Sequence, residues 1–568
     1  MDAKLCDLEV LVLDCQAAGA TPDHGDLLEL GWGFCGPDGL IAPIDAHWIA
    51  RQSERPIPRA VRELTGWSEA CASEAIAQAE AWSRLSAALN ARSHGQPMPT
   101  VIHFARFEQR FLEALHARLG ADTPFPFDTL CLHAIAERLF PDLPRRNIRA
   151  LAGFLGHSTE LIRRAGGHVV ATAHIWRALL PHLSRVGVET WPELDAWLKT
   201  AAKGPRSKRR VYPLAAEKRR ALPDRPGVYR FVRSNASVLY VGKATSLKKR
   251  IAQHFSGRGP GTERGLELLS QVHDIVFTET ESVLESALLE SDEIKRIDPP
   301  YNVQLRAAER CAWFAARDGR SAQPEPSAQH PIGPLSSEHA LLSLGAWQAL
   351  LTQWDAAALH GQAFDPNPGL CAWALAVPSA FLPEPGLFLQ GFELTLRECF
   401  VDSTRGAALR VASAARALWT ARGRQEREGS EDMAPNEWDL TRVRRRLERS
   451  LVQGGLSLRR ARWLRLLADC QLAFREPGMP APRLLLIERG QLVARAPLSD
   501  LNALHTLPLR AALSRQERMR CFDAASYDRM RVLATECSRV QQEGGELALR
   551  IGKHVFGGAR MTRLLQGV

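Results

Sequence analysis

The chain has 568 residues, a length that favours three or four domains over a single one. Its 45% hydrophobic and 24% charged residues are ordinary for a globular protein and exclude a mainly disordered or collagen-like chain. Seventy-three basic residues against 63 acidic ones leave a net charge of +10, which over this length is only a weak indication of a nucleic-acid partner.

The positive charge is concentrated in one stretch of the chain. Residues 203–258 hold 16 basic residues and two acidic ones, Glu217 and Asp224, so this stretch carries +14 and the rest of the chain −4. Such a local excess predicts an acidic partner, and a nucleic acid is the partner that it fits best.

Several features favour the reducing cytoplasm. The first 19 residues include acidic side chains and lack the small-residue cleavage pattern of a signal peptide. No run of 18 apolar residues occurs, so we expect no membrane partner. The 11 cysteines are scattered without a CxxC pair, so we expect reduced thiols and a cytoplasmic protein.

The amino-terminal part, residues 1–199, is predicted to be an α/β layer domain, called the first domain below. Apolar runs at Val10–Leu13 and Leu27–Phe34 predict two strands. Helical periodicity predicts helices within four ranges: 75–91, 106–118, 129–139 and 147–155. Strands followed by helices are typical of a sheet covered by helices. Residues 200–220, which contain AAKGPRSKRR, are predicted to be a basic linker.

Residues 221–305 are predicted to form a compact unit, called the central module below. The sequence PGVYRFVRSNASVLYVG contains two strand-like runs, Val228–Val232 and Val238–Val241, around a polar turn, which is the pattern of a β-hairpin. A helix is predicted next, because three apolar residues recur at helical spacing: Leu247, Ile251 and Phe255.

The order of these motifs resembles the GIY-YIG nuclease domain of the UvrC and Cho type. GVY at 227–229 stands for the first signature triplet and YVG at 240–242 for the second, followed by a basic helix, Glu290 and Asn302. Either triplet alone would be a weak signal, whereas the ordered set is specific. The resemblance implies a small α/β nuclease fold over the central module.

The resemblance also implies a role for each residue. Tyr229 or Tyr240 is expected to be the general base, with Tyr229 favoured. A tyrosine can act as a base because nearby cations or a metal can lower the pKa of its hydroxyl. Arg250 is expected to clamp the phosphate with two hydrogen bonds. Glu290 is expected to hold one Mg²⁺ or Mn²⁺, which prefer hard oxygen ligands. The other expected DNA contacts are Lys243, Lys248, Lys249, His254 and Asn302.

Each of these residues also has a purely structural explanation. A tyrosine within a strand usually packs, and the cations around Arg250 could be a solvated helix face. His254 stands where UvrC usually has a tyrosine, which leaves its role open. Three of the five tyrosines nevertheless fall in the central module, and the joint order and spacing of the motifs favour the functional explanation.

Residues 7–183 resemble the DnaQ-like, DEDDh-type 3′–5′ exonuclease domain, which has an RNase H-like fold. VLDCQAAGATP places Asp14 at the first family motif. HFARFEQRFL at 103–112 corresponds to the second motif, and GGHVVATAH places His168 at the third. The resemblance implies an exonuclease-type fold for the first domain.

The carboxylates of this exonuclease family are altered here. Gln16 replaces the first-motif glutamate, Glu108 replaces the second-motif aspartate and Ala173 replaces the third-motif aspartate. The family's reaction uses two metal ions held by four carboxylates. Of the four corresponding positions in this chain, only Asp14 and Glu108 are acidic. We therefore expect weak or absent metal binding and little exonuclease activity, with the fold kept for docking or for positioning DNA. His168 could be a structural histidine.

Residues 306–568, the carboxy-terminal region, carry the fewest signals and are expected to be mostly helical. The proline-rich segment 317–338 is predicted to be a second linker. Apolar periodicity around Met530–Leu549 predicts a packed helix pair. UvrC and related fusion proteins usually carry a four-cysteine cluster here, but only Cys371 and Cys399 lie near that place, so we expect no iron–sulfur cluster and no zinc.

Three functions are consistent with these patterns. The leading one is a metal-dependent DNA endonuclease that incises damaged duplex DNA in nucleotide-excision repair, with a UvrB-like protein as the partner that the resemblance implies. The alternative is a 3′–5′ DNA exonuclease acting through the first domain, which the altered carboxylates disfavour. The third is a non-catalytic DNA-binding scaffold, which four intact residues of the central module disfavour: Tyr229, Tyr240, Arg250 and Glu290.

Overall fold

The structure is a computed structural model that describes residues 3–93, 95–157, 162–200, 210–256, 262–303, 305, 311–400, 406–422, 438–558 and 561. The chain divides into two compact units. Unit 1 comprises Met1–Arg225, Tyr229–Thr278 and Pro299–Tyr301, and unit 2 comprises Pro226–Val228, Glu279–Asp298 and Asn302–Val568. Residues 201–209 of the predicted basic linker lie outside the described residues. Among the described residues, no helix is long and apolar enough to cross a membrane.

Unit 1 contains the first domain and most of the central module. The strands are β1 (Val10–Ala17), β2 (Leu27–Gly36), β3 (Gly39–Trp48), β4 (Met98–Ile102), β5 (Phe127–Cys131), β6 (Gly227–Val232), β7 (Val238–Ala244) and β8 (Asp274–Glu279). The helices are α1 (Arg59–Thr65), α2 (Glu69–Ser73), α3 (Gln78–Asn90), α4 (Ala105–Leu119), α5 (Leu132–Leu139), α6 (Ile148–Phe154), α7 (Ala165–Arg185), α8 (Trp191–Lys199), α9 (Ala216–Arg220), α10 (Leu247–Phe255) and α11 (Glu263–Leu269).

The first domain is built on a five-stranded sheet of order β3-β2-β1-β4-β5. β1 runs antiparallel to β2, and β2 to β3, whereas β4 and β5 continue the sheet in parallel with β1. Every residue of β2 is buried, which explains its nearly continuous apolar sequence. Helix α7 lies close to β2 because Gly31 has no side chain: a Cβ there would lie 2.9 Å from the Cβ of Ala165. The predicted α/β fold class is confirmed for this domain.

The central module contains the predicted hairpin within a three-stranded sheet of order β7-β6-β8. The turn between β6 and β7 uses Ala236 in the left-handed region, with φ of 64°. Helix α10 is capped by Ser246, whose hydroxyl accepts the backbone N–H of Lys249 at 3.1 Å. The predicted apolar stripe of α10 is buried in one core with Phe231 and Leu239. The hairpin and the helix are therefore confirmed.

The first domain contacts α11 of the central module within unit 1. Arg145 forms an ion pair with Glu263 at 2.7 Å. Asn147 Nδ2 donates a hydrogen bond to Glu267 Oε2 at 2.6 Å. The loop before α6 is thus joined to the central module by charged and polar contacts.

Unit 2 contains the helix after β8 and the carboxy-terminal region. Its helices are α12 (Val283–Ile297), α13 (Leu342–Leu359), α14 (Pro368–Leu375), α15 (Pro385–Cys399), α16 (Ala407–Arg422), α17 (Leu440–Leu467), α18 (Arg515–Met519) and α19 (Ala524–Gln542), with 3-10 turns at Ser379–Phe381 and Leu501–His505. Its strands are β9 (Trp313–Ala315), β10 (Ala322–Gln323), β11 (Ile332–Leu335), β12 (Cys470–Arg475), β13 (Arg483–Glu488), β14 (Gln491–Pro497), β15 (Glu546–Ile551) and β16 (His554–Gly557).

The predominance of helix predicted for the carboxy-terminal region is confirmed, and two sheets accompany the helices. Helices α13–α17 enclose an apolar core around Trp347 and Phe392. A small sheet has the order β10-β9-β11. A second sheet, of order β14-β13-β12-β15-β16, is antiparallel throughout, and α17 and α19 contribute to its core.

Two local predictions for this region are corrected. The segment 317–338, predicted as a linker, contains β10 and β11, which pair with β9. The periodicity around Met530–Leu549 does not produce a helix pair: α19 ends near Gln542 and strand β15 follows. Gly544, with φ of 84°, makes the left-handed turn that ends the helix, and it separates two apolar runs of different period.

Candidate active site

The two predicted tyrosines lie on neighbouring strands of the central module. Tyr229 on β6 is fully buried and Tyr240 on β7 is half-buried. Their ring centroids are 6.0 Å apart. A Cβ at Gly242 would lie 2.6 Å from Tyr229 Oη and 2.7 Å from Tyr240 Cε1. The glycine of the second triplet therefore leaves the space that both rings occupy.

A histidine joins this pair. Tyr229 Oη and His254 Nε2 on α10 are 2.7 Å apart, a hydrogen-bond distance. The imidazole also packs edge-on against Phe231, with centroids 5.3 Å apart. Burial, followed by the positive charge of Arg250, lowers the pKa of His254 to about 4. The imidazole is therefore neutral at pH 7, and in its Nδ1–H tautomer Nε2 can accept the Tyr229 proton.

The predicted phosphate contacts lie at the start of α10 and on β7. Lys248, Lys249 and Arg250 are exposed, and Lys243 is half-buried. Arg250 lies one helical turn before His254, so both residues are on the same face of α10. Lys249 Nζ is 3.7 Å from Asp224 Oδ2, but both groups are exposed, and such a pair adds little stability. An exposed row of cations of this kind suits phosphate contacts.

The remaining predicted residues of this site, Glu290 and Asn302, belong to unit 2. Glu290 is half-buried on α12, and Asn302 is buried. Among the described residues, no group of three or more His, Cys, Asp or Glu side chains could hold a metal ion. Mg²⁺ is commonly held by one or two carboxylates with substrate phosphate and several waters. Glu290 fits an ion of that type, with its single oxygen-donor carboxylate.

A cavity of about 650 Å³ lies at the altered exonuclease motifs of the first domain, and it is lined in part by Asp14, Gln16, Glu108 and His168. His168 Nδ1 and Asp14 Oδ1 are 2.9 Å apart. Burial lowers the pKa of His168, but the charge and hydrogen bond of Asp14 outweigh burial, so the pKa is raised overall. Asp14 and His168 thus form a tight pair.

The other altered positions do not supply the charge that two metal ions need. Burial, followed by the charge of Asp14, raises the pKa of Glu108, and the Cys15 N–H donates to Glu108 Oε2 at 2.8 Å. Gln16 Nε2 donates to the Arg163 carbonyl at 2.6 Å. Ala173 on α7 is 2% exposed and packs in the apolar core. Because four carboxylates are required, these residues do not fit a pair of metal ions.

Sequence reasoning missed the basic lining of this cavity. Arg145, Arg146, Arg149 and Arg163 line it together with His133. The signal was present in PRRNIRA at 144–150, where three arginines flank the start of α6. The short spacing of these arginines could have identified a positively charged rim.

The comparisons with known proteins begin with the central module. Residues 225–303 match the family model of the UvrC-like GIY-YIG domain. Over 95 residues, which are 17% of this chain and 15% of the relative, the chain is 46% identical to the UvrABC system protein C of Alkalilimnicola ehrlichii. The chain therefore contains a nuclease domain of the GIY-YIG class. More particularly, residues 225–303 form a UvrC-like GIY-YIG domain.

A longer match covers 220 residues of the chain. Over 220 residues, 38% of this chain and 33% of the relative, the chain is 31% identical to a Mycobacterium tuberculosis protein provisionally named as a bifunctional exonuclease/endonuclease. The chain thus spans only a third or less of the length of these two relatives, so the matches concern domains and not whole proteins.

Two solved structures are similar to parts of the chain. The GIY-YIG N-terminal endonuclease domain of UvrC from Thermotoga maritima, bound to magnesium, is 29% identical, with a TM-score of 0.14 over 15% of this chain and 93% of that chain. E. coli Exonuclease I in complex with a dA16 oligonucleotide is 12% identical, with a TM-score of 0.29 over 40% of this chain and 48% of that chain.

Proposed function

We propose that the protein is a metal-dependent DNA endonuclease that incises damaged DNA in nucleotide-excision repair. The observation that carries the proposal is the Tyr229–His254 hydrogen bond of 2.7 Å inside a UvrC-like GIY-YIG domain, one helical turn from Arg250. A UvrB-like protein is the partner proposed to deliver the lesion. The proposed substrate and the reduced cysteines are consistent with a cytoplasmic location.

Tyr229 is proposed to act as the general base with help from His254. As the attacking water loses a proton to Tyr229 Oη, the original hydroxyl proton of Tyr229 moves to His254 Nε2. The neutral imidazole makes this transfer possible, because a protonated ring could not accept it. Tyr240, half-buried beside Tyr229, is the alternative base.

The substrate is proposed to be held by the cations of the module. Arg250 clamps the scissile phosphate through its planar fork, which matches two phosphate oxygens. Lys243, Lys248 and Lys249 contact neighbouring phosphates and fix the register of the duplex without reading its sequence. Asn302 is the remaining DNA contact that the family resemblance assigns.

Glu290 is proposed to hold one Mg²⁺ or Mn²⁺. The ion, when bound, polarises the phosphate and stabilises the charge on the leaving oxygen. The carboxylate of Glu290 is the group of this chain that would fix the ion.

The first domain is proposed to position DNA without degrading it. The amide at Gln16, the apolar Ala173 and the raised pKa of Glu108 support this proposal, because they remove negative charge from the place where two cations would bind. The arginine-lined rim of the cavity supports binding of a nucleic-acid strand.

The proposal is tested by a nicking assay on a lesion-bearing duplex with Mg²⁺ or Mn²⁺, with and without a UvrB-like partner. Wild-type protein should nick the duplex and Glu290→Ala should not, whereas Asp14→Ala should nick as the wild type does. Nicking that persists in Glu290→Ala and disappears in Asp14→Ala would favour the exonuclease-domain alternative. No cleavage under any condition would favour the scaffold.

A further inference from the structure

The helix that carries Glu290 is held at its start by the carboxy-terminal region of unit 2. Glu476, directly after β12, accepts the backbone N–H groups of Val283 and Leu284 through its two carboxylate oxygens, both at 2.9 Å. Glu476 is itself fixed by Arg539 Nη2 at 2.5 Å. A carboxylate in this place pairs amide groups that the start of a helix leaves without partners, and it complements the helix dipole.

Two ion pairs hold the second half of α12 to α19. Arg529 Nε is 2.8 Å from Asp292 Oδ1, and Lys295 Nζ is 2.7 Å from Asp528 Oδ2. The Lys295 side chain is 9% exposed and the Asp528 side chain is fully buried. Arg529 also donates to the Gly490 carbonyl at 2.7 Å. Two adjacent residues of α19 thus form ion pairs with α12: Asp528 binds Lys295, and Arg529 binds Asp292.

Apolar packing and a third ion pair hold the middle of α12. Leu284 and Leu288 are buried in the core formed with β12, β13, α17 and α19. Glu285 accepts a hydrogen bond from Arg483 Nε. The pairing of α12 with the carboxy-terminal region therefore extends along most of the helix.

All these contacts lie on the side of α12 opposite to Glu290. At 3.6 residues per turn, successive residues are about 100° apart around the helix axis. Measured around the axis from Glu290, the angle is about 120° for Leu284, about 160° for Leu288, about 140° for Lys295 and about 200° for Asp292. The contacts described above therefore act on the opposite side of the helix, and they set the direction in which Glu290 projects.

We propose that the carboxy-terminal region fixes the placement of α12 and that Asp528 and Arg529 are positioning residues for Glu290. The carboxylate of Glu476 sets the position of α12 along its axis, and the ion pairs of Asp528 and Arg529 set the rotation of the helix about that axis. This inference rests on the proposed function, in which Glu290 holds the metal ion. A ligand held by packed and hydrogen-bonded neighbours keeps its geometry, and a displacement of about 1 Å is enough to weaken a site.

Arg529→Lys tests the proposal, with Arg550→Lys as the matched control. Both arginines are buried in the same region and both donate to backbone carbonyls, but Arg550 donates to Leu504 and Leu507 at 2.7 and 2.8 Å and belongs to β15. We expect Arg529→Lys to raise the Mn²⁺ concentration for half-maximal nicking by about tenfold or more. Arg550→Lys should leave this concentration unchanged.

A second measurement uses the metal-free protein, so it does not depend on nicking. Amide hydrogen exchange in Val283–Ile297 should become faster in Arg529→Lys and should not change in Arg550→Lys. Asp292→Asn removes the same ion pair from the other side and should give the same two results. It replaces Arg529→Lys if that variant does not fold.

The outcomes separate this inference from the proposed function. If Glu290→Ala still nicks DNA, the proposed function is wrong, and the exchange experiment alone decides whether α12 is held as described. If Glu290→Ala is inactive but Arg529→Lys and Asp292→Asn match the Arg550→Lys control in metal dependence and in exchange, the positioning role is wrong. An equal rise in the Mn²⁺ concentration for half-maximal nicking in Arg550→Lys would show general destabilisation and would also contradict the proposal.

Discussion

The hydrogen bond between Tyr229 and His254 leads to a prediction that separates hydrogen bonding from proton transfer. In His254→Gln, the amide oxygen can still accept the Tyr229 hydroxyl, but an amide cannot take its proton. If the imidazole acts as a base, the nicking rate should fall by about 10²-fold or more, within the usual range for general base catalysis. If His254 only packs against Tyr229, the substitution should have a small effect.

The lowered pKa of His254 also predicts how the nicking rate depends on pH. With a pKa of about 4, the imidazole is about 97% neutral at pH 5.5, whereas a histidine at 6.5 is only about 9% neutral there. The assay is single-turnover nicking by wild type and His254→Gln between pH 7.5 and 5.5, and the quantity compared is the ratio of the two rates. Dividing by the variant removes contributions from other titrating groups. We expect this ratio to stay constant over the range.

A ratio that falls about tenfold between pH 7.5 and 5.5 would refute the reasoning, because it would show a histidine with an ordinary pKa. Stability gives an independent check. Because the folded-state pKa lies below the unfolded value of 6.5, the unfolded chain binds the proton first as the pH falls. The wild type should therefore lose on the order of 3 kcal/mol between pH 6.5 and pH 4 that His254→Gln does not lose.

Three further predictions concern the other parts of unit 1. Gly242→Ala places a methyl group 2.6 Å from Tyr229 Oη, so it should lower the nicking rate by about 10²-fold and the free energy of unfolding by about 1–3 kcal/mol, measured by nicking and urea titration. Asp14→Asn should leave the nicking rate unchanged, since Asp14 has no part in the proposed nicking reaction; a lost rate would contradict the assignment of nicking to the central module. Neutralising the cations of Lys203–Arg220 should remove most of the salt dependence of DNA affinity, measured by fluorescence anisotropy over a salt series, and an unchanged slope would exclude this stretch as the main phosphate contact.

The central module could be predicted from the sequence because its signals are local. The β6–β7 hairpin follows from two apolar runs around a polar turn, and α10 follows from apolar residues one turn apart. Both patterns involve neighbours in sequence, so no tertiary information is needed. The first triplet and the second triplet then identified the family.

Other elements could not be predicted because their signals depend on tertiary packing. β4 (Met98–Ile102) is buried at all five positions between two parallel neighbours, β1 and β5, so it lacks the alternation that marks an exposed strand. Helix α7 contains Pro181 and two glycines, which conceal its length.

The contacts that matter most for the site are also non-local. His254 meets Tyr229 across 25 residues, and its lowered pKa comes from burial that only the packed module creates. Arg529 and Asp292 meet across 237 residues. The spacing of the motifs predicted which residues form the site. The protonation state of His254 and the contacts that hold α12 could be found only from the structure.

The most direct test of the central claim is the nicking rate of Glu290→Gln on a lesion-bearing duplex, compared with wild type and with Glu281→Gln. Glu281 is an exposed glutamate just before α12, so its substitution controls for the loss of one negative charge near that helix. We expect Glu290→Gln to abolish nicking at every Mg²⁺ and Mn²⁺ concentration, whereas Glu281→Gln should nick as the wild type does. Equal nicking by Glu290→Gln and the wild type would contradict it.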